Sequence, residues 1–350
     1  MASRISIFDH FARPLAEIEA PTTPRSWVLN EYGRCEFSIS TSDPKCTEQN
    51  MQFGNLVFIE HLPSKDETGQ IHGKLPDWTG IILPPRTWDL GVLHIVTYGI
   101  EALLAFRSMP YASVRGTPRT VFTQILEHAQ ERAKNIVIQP GSLDDKPLTY
   151  PDDLRMNAYD HIRKMVDNVG MDWDVTGQIN EKGELELLAN LYDKKGVASG
   201  LVLHNNNTEL QPPLLTEQGT PSNQVFGYSQ AQTSQARHKV EVLNQEALDD
   251  YGPLQLNQVF TGKHDPTSVR LAAQARADER GRPKKIIKRV VLDRSDAFSL
   301  INIGNTVTVK DANVGFYNGG FGIDTQVRII SMDYNDLSNK TPLNVEVIDG

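Results

Sequence analysis

Nine histidines stand at positions 10, 61, 72, 94, 128, 161, 204, 238 and 264. No two are three to five residues apart, the spacing at which one helix presents two imidazoles to zinc, so no metal-ligating motif is present. His128 and His161 fall on expected helices beside Glu127 and Asp160. A carboxylate neighbour could hold either ring as a general base, but a solvated helical face accounts for both positions more simply. Cys35 and Cys46 are the only cysteines. They are too few for a disulfide framework or a cysteine-rich zinc site, and a reducing compartment during synthesis follows. Cys35 lies mid-strand between Arg34 and Glu36, which suits a core thiol better than a nucleophile, and no Gly-x-Ser-x-Gly elbow occurs.

Gly315-Phe-Tyr-Asn-Gly-Gly-Phe-Gly322 has the glycine content of a phosphate cradle. No Lys-Ser or Lys-Thr follows it and no helix opens behind it, so a long hairpin loop is expected. Asp152-Asp153 and Asp249-Asp250 are paired carboxylates that would serve glycoside hydrolysis if they met across a cleft; Asp152-Asp153 also suits a helix first turn, where the dipole favours anions. Lys284-Lys-Ile-Ile-Lys-Arg289 is the one basic cluster, expected at a strand start or a partner contact rather than on DNA. No residue is therefore assigned a catalytic, cofactor-binding or metal-binding role, no cofactor is expected, and the chain is expected not to be an enzyme.

The elements that carry these residues read as β, then α/β, then β. Residues 1 to 106 hold Arg4–Phe8, Trp27–Leu29, Arg34–Ser40, Asn55–Ile59, Trp78–Leu83 and Leu93–Thr97, several alternating apolar with polar between Pro- and Gly-rich turns. Thr117-Pro118 then opens an amphipathic helix through Val121, Ile125, Ala129 and Ala133, and a second helix is predicted from Pro151 to Val169 with Gly170 as its stop. A hairpin joins Met171–Val175 to Glu184–Leu188 around Asn180–Gly183. Gly200–Leu203 leads into an exposed crossing segment, His204–Thr208 and Gln211-Pro-Pro213, taken as an interdomain link. Strands Asn223–Ser229 and His238–Val242 follow, then a helix capped by Asp265-Pro266 and running to Gly281; the tail returns to β at Lys288–Leu292, Asn305–Lys310, Gln326–Tyr334 and Leu343–Ile348.

With 350 residues, 35 basic and 44 acidic side chains and a formal charge of −9, the chain suits two or more compact domains and argues against a dedicated duplex-DNA reader. Hydrophobic residues make up 39% and charged residues 23%, enough to build cores and to exclude wholesale disorder. No run reaches the roughly 18 to 20 apolar residues of a membrane span, and neither a membrane anchor nor a signal peptide is expected.

A further pattern spans nearly the whole chain. It runs from Ile7-Phe-Asp9 and Pro14-Leu-Ala-Glu17 through Trp27, Gly33–Ile39, Phe53–Val57 and Trp78–Ile82 to Tyr98-Gly-Ile-Glu-Ala-Leu-Leu-Ala-Phe-Arg107. It continues in Asn223-Gln-Val with Gly227, Tyr251-Gly252, Ile303–Val309 and Arg328–Tyr334. This order of features resembles the baseplate hub proteins of tailed bacteriophages and contractile injection systems, including the N-terminal hub region of tail-associated proteins. The resemblance implies an α+β fold with two small, tail-tube-like β-barrel domains. The first covers 1–106, the second is discontinuous, 200–222 with 286–350, and an α/β portion, 107–199 with 223–285, lies between them.

It further implies a homotrimeric symmetry adaptor in the virion tail, made in the host cytoplasm. Six barrels would match a sixfold tail tube or distal tail protein above and a threefold tip, spike or fibre below, with tape-measure protein and phage DNA passing through the channel. The chain stops sixteen residues after Tyr334, so lytic activity is expected on a separate protein. Two other functions fit less of the pattern: a cell-wall hydrolase with converging carboxylates, and a glycan-binding tail-tip protein using Trp88, Tyr111, Phe316, Tyr317 and Phe321.

Overall fold

The structure is a computed structural model, and it describes residues 3–20, 23–61, 75–109, 112–131, 136–147, 149–154, 157–204, 208–210, 215–218, 222–230, 237–261, 263, 265–281, 284–287, 290–292, 301–317, 320–335 and 341–348. Tyr111, Gln211-Pro-Pro213, Lys288-Arg289 and the side chains of Phe316, Tyr317 and Phe321 lie outside that description. The chain divides into two compact units, Met1–Gln211 with Arg289–Gly350, and Pro212–Lys288.

The first unit opens with β1 (Ser3–Phe8), β2 (Pro14–Ala20), β3 (Arg25–Val28), β4 (Arg34–Ser40), β5 (Leu56–His61), β6 (Trp78–Asp89) and β7 (Val92–Gly99). It continues with α1 (Ala102–Ala105), β8 (Ala112–Gly116), α2 (Pro118–Gln130), β9 (Ile138–Leu143), β10 (Tyr150–Leu154), α3 (Ala158–Val169), β11 (Asp172–Ile179), β12 (Leu185–Tyr192), β13 (Ala198–Leu203) and β14 (Thr208–Leu210). The second unit holds β15 (Leu215–Gln218), β16 (Gln224–Ser229), β17 (Lys239–Leu243), α4 (Gln245–Tyr251), β18 (Gln255–Phe260), α5 (Pro266–Arg280) and β19 (Lys284–Ile287). The chain then returns to the first unit with β20 (Val290–Leu292), β21 (Thr306–Tyr317), β22 (Gly320–Tyr334) and β23 (Thr341–Val347).

The result is a sheet-rich α+β protein. Its main sheet has thirteen strands ordered β14-β20-β23-β22-β3-β4-β7-β6-β5-β1-β2, with β21 pairing both β22 and β13. Among the described residues this ladder is open and no closed barrel forms. The amino-terminal and carboxy-terminal strands instead share one sheet, joined where Val28, Trp27, Ser26 and Arg25 of β3 face Ser331, Met332, Asp333 and Tyr334 of β22.

Burial explains the sequence of β5. Leu56 and Phe58 enter a core shared with α2, α3 and the three-stranded sheet β11-β12-β9, while Val57 and Ile59 enter a second core with Ile5, Ile7, Phe37, Ile39 and Ile95. A strand covered on both faces reads as an unbroken apolar run, whereas β4, with one face on the core, alternates. Cys35 is part of the second core, as the alternation predicts.

Several expectations are corrected here. The helix predicted from Pro151 begins only at Ala158, because residues 150–154 form β10 and pair with β8. Pro151 fits a helix start and an edge strand equally well, and the cap itself is Asn157, whose side chain accepts the Asp160 N–H at 2.9 Å. Asp152-Asp153 consequently sit on a strand and not in a helix first turn. His161, expected on a solvated face, is buried inside α3. The other elements fall close to their expected places: Pro118 opens α2, Gly170 closes α3 at φ 63°, and Asp265 caps α5 through the Ser268 N–H. The glycine-rich segment is a hairpin, and its ladder runs to the Tyr317–Gly320 pair, so the loop is tighter than expected. The crossing segment carries β14 and β15.

The helix boundary has a direct test. Asn157→Ala should lower stability by about 1 kcal/mol in urea denaturation, the usual loss for a side-chain N-cap.

Candidate functional site

The polar groups converge at the free edge of β11. Among the described residues this strand pairs only with β12, so its outward N–H groups need other acceptors. Asn30 Oδ1 accepts the Trp173 N–H at 2.8 Å and Glu101 Oε1 accepts the Val175 N–H at 3.2 Å. Asn30 follows β3 at φ 60°, a conformation asparagine tolerates, and its amide also donates to Asp172 Oδ1 at 3.1 Å.

Asp172 collects three further donors. The Lys195 N–H reaches Oδ2 at 2.8 Å, and the Arg328 guanidinium of β22 grips both carboxylate oxygens. Arg328 also donates to the carbonyls of Gly304 at 3.2 Å and Lys195 at 2.8 Å. The side chains are only 2% and 12% exposed, so the pair is buried, with its hydrogen-bonding capacity largely used. Burial opposes ionisation of Asp172, yet Arg328, the Lys195 N–H and Asn30 together hold its carboxyl below the usual range. Close backbone approach completes the junction. A Cβ on Gly196, at φ +94°, would lie 2.2 Å from the Gly304 carbonyl carbon, and one on Gly304, at φ +90°, would lie 2.4 Å from the Lys195 oxygen. Only glycine fits at either position.

A cavity of about 380 Å³ adjoins the junction, lined in part by Trp78, Glu101, Asp174, Tyr192 and Lys195. Asp174 accepts from Lys195 Nζ at 2.5 Å, from the Asn190 amide at 2.9 Å and from the Tyr192 hydroxyl at 3.3 Å. Burial pushes the Glu101 carboxyl up to about 7; Asp174 adds to the rise, while the Val175 N–H and Lys195 oppose it. Burial and Asp174 likewise raise the Tyr192 phenol.

The residues singled out by sequence are scattered. His128 pairs with Glu131 at 2.8 Å on α2 rather than with Glu127, and Asp160 serves the start of α3 beside His161. Asp249 accepts from Gln245 within α4 of the second unit, whereas Asp152 and Asp153 lie on β10 of the first. Lys284–Ile287 form β19, paired with β15. Among the described residues no group of three or more His, Cys, Asp or Glu is placed to hold a metal ion, and no helix is long and apolar enough to cross a membrane. Trp88 is the expected exposed aromatic that the structure places: it stands on β6 at 63% exposure, and the Arg86 guanidinium lies between its ring and that of Phe53, 5.7 and 4.1 Å from the two centroids. Beyond it the turn carries Leu90, 98% exposed.

Comparison with solved structures decides the fold. The chain has the fold of prophage tail proteins. It aligns with the 43 kDa tail protein of prophage MuSo2 from Shewanella oneidensis at a TM-score of 0.57 and 12% identity, over 99% of this chain and 98% of that one. Prophage tail protein gp18 from Listeria monocytogenes EGD-e gives the same score and identity over 99% and 94%. The tail protein from Neisseria meningitidis MC58 gives 0.54 and 12% over 100% and 98%. No family model and no curated protein matches the sequence. The likeness agrees with the resemblance drawn from the order of sequence features.

Sequence reading missed Asn30, Glu101, Asp172 and Arg328. The last two are 156 positions apart, and no local pattern encodes their meeting. Arg328→Met should cost about 3 to 5 kcal/mol by leaving Asp172 buried without its counter-ion, and adding Asp172→Asn should return part of that loss. Glu101→Gln imitates the protonated acid. Because the folded acid binds its proton more tightly than the unfolded one, wild-type stability falls as pH rises from about 4.5 toward 7. The variant should therefore be the more stable protein at pH 8, by on the order of 1 to 3 kcal/mol, and lose that advantage below pH 5 in parallel thermal melts.

Proposed function

We propose that this chain is a structural component of a phage-type tail, a homotrimeric baseplate hub. The observation that carries the proposal is fold likeness over 99%, 99% and 100% of this chain and 98%, 94% and 98% of the three tail proteins. In this role the segments 1–106 and 200–222 with 286–350 act as two tube-like modules, and 107–199 with 223–285 as the α/β portion between them. A curled β-region suits such a module: β2 returns beside β4 around the core that contains Ile5, Ile18 and Phe37. Three chains would present six such modules to a sixfold tube or distal tail protein and three equivalent faces to a tip, spike or fibre. A net charge of −9 is compatible with tape-measure protein and DNA passing without being gripped. The protein would be made in the host cytoplasm and reside in the virion tail.

The hairpin tip supports an assembly role. Asp89 pairs with Val92 across Leu90 and Gly91, whose φ values of 45° and 81° describe a two-residue turn that favours Asn, Asp or Gly at its first position. Leucine there is both strained and exposed, a choice that local folding does not explain and that a partner contact does. A second reading, a hydrolase, has one observation in its favour: Glu101 and Asp174 line the same cavity. Both carboxylates are engaged in holding the β11 region together, which leaves neither free as a nucleophile.

Light scattering across a concentration series, with negative-stain images of the same fractions, tests the hub directly. A three-chain ring with a central hole is expected; a monomer at every concentration, including with tail-tube protein added, would remove the proposal. Leu90→Asn should leave monomer stability unchanged or a few tenths of a kcal/mol higher while weakening assembly about tenfold. Peptidoglycan hydrolysis lost on Glu101→Gln would establish the second reading.

A further inference from the structure

The second unit contains a face that the described residues of its own fold leave uncovered. In the three-stranded sheet β17-β16-β18, alternate residues Val225, Val240 and Val242 turn to α5 and pack on Val269, Ala273 and Ala277. The intervening residues form a three-by-three grid on the other face. Its rows are Leu243, Gln224 and Gln255; Glu241, Phe226 and Asn257; Lys239, Tyr228 and Val259. In the intact chain the six flanking residues are exposed and the three of the central strand are half-buried by their neighbours.

The polar side chains of this grid are held in place. Gln224 donates to Glu241 at 2.6 Å, Gln255 donates to Gln224 at 2.9 Å, and the Tyr228 hydroxyl donates to Asn257 at 3.4 Å. Lys239 Nζ stands 4.9 Å from the centre of the Phe226 ring. The centre of the face is thus two half-buried aromatic residues on alternate positions of one strand, surrounded by amides, one carboxylate, one ammonium and the exposed aliphatic side chains of Leu243 and Val259.

We propose that this face is a binding platform for a short neutral oligosaccharide. The apolar C–H face of a pyranose stacks on an aromatic ring, whose negative π-face attracts polarised C–H groups. Amide and carboxylate side chains supply paired donors and acceptors for vicinal hydroxyls, and here they are already ordered before a ligand arrives. Size argues against a protein partner: with strands about 4.8 Å apart and alternate residues about 6.7 Å apart, the grid covers roughly 300 Å². A stable protein interface uses about 800 Å² on each side. Charge argues against nucleic acid, because Lys239 and Glu241 cancel on the platform of a chain whose net charge is −9. The inference rests on the second unit alone and does not depend on the tail assignment.

An immobilised panel of neutral chito-, malto-, cello-, galacto- and manno-oligosaccharides, probed with the full-length protein, tests it, with single-stranded oligothymidylate as the competing probe. Retention on at least one sugar is expected, weakened roughly tenfold or more by Phe226→Ala and by Asn257→Ala. Both residues point away from the core beneath α5, so the circular dichroism spectrum should be unchanged and the melting temperature should fall by only a few degrees. Leu271→Ala, on the exposed side of α5, should bind as the wild type does. No retention on any sugar, retention indifferent to Phe226 and Asn257, or binding to oligothymidylate alone would overturn the proposal.

Discussion

The buried contact between Arg328 and Asp172 is the constraint on which the first unit depends. It ties β22, near the carboxyl end of the chain, to β11 in its middle, and Asn30 adds the amino-terminal region through the same carboxylate. Three segments that are remote in sequence are therefore fixed by one charge. A buried ion pair is weak evidence of net stability, since desolvation offsets much of the attraction. Its better-supported effect is specificity: a guanidinium that must satisfy a carboxylate and two carbonyls admits few alternative placements of β22. The facing glycines, Gly196 and Gly304, let the backbones approach closely enough for that geometry to exist.

One sheet also joins the two ends of the sequence. The thirteen-stranded sheet passes from one end of the sequence to the other through β3, so strain applied at one end is carried by backbone hydrogen bonds and not by a flexible linker. The side-chain seam reinforces it. The Trp78 indole donates to the Ser26 carbonyl at 3.1 Å, and the Arg25 guanidinium lies over the rings of Trp27 and Tyr334 at 5.4 and 5.3 Å. Asp172, Asp174, Glu101 and Arg328 are likewise engaged in contacts within the first unit.

Most strands and the three longer helices were legible in the sequence because each imposes a local period or a local cap. The double-sided burial of β5 was also visible as an apolar run, although the existence of two cores was not. β2 escaped notice: in Pro14-Leu-Ala-Glu-Ile-Glu-Ala20 Ile18 is the single β-branched residue and no aromatic accompanies it, and β1 supplies its order through pairing. α4 is seven residues long, too short to show a helical period, though Asn244 caps it through the Ala247 N–H. The Asn157-x-x-Asp160 spacing was a usable signal for the true start of α3, and Pro151 outweighed it. The β11 junction had no such signal, since hydrogen bonds across more than a hundred positions leave no periodic trace.

The same junction gives the first unit two opposed responses to pH. Asp172 is held ionised by Arg328 and its other donors, so its contribution is present above the ordinary carboxylate range and is lost as pH falls below about 4. Asp9, with Arg13 opposing the cost of burial, and Asp145, held by Thr117 and the Arg119 N–H against the same cost, change in the same sense. Glu101 acts oppositely: its proton is favoured in the folded state, so stability falls between about 4.5 and 7, and only near 7 does ionisation of the folded protein place a second negative charge beside Asp174 in a partly enclosed cavity. Acid therefore loosens the grip on β22, whereas alkali costs stability at Glu101, where burial and Asp174 disfavour the charge. From these groups alone, the greatest stability falls in mildly acidic solution, where Asp172 is fully ionised and Glu101 still largely protonated.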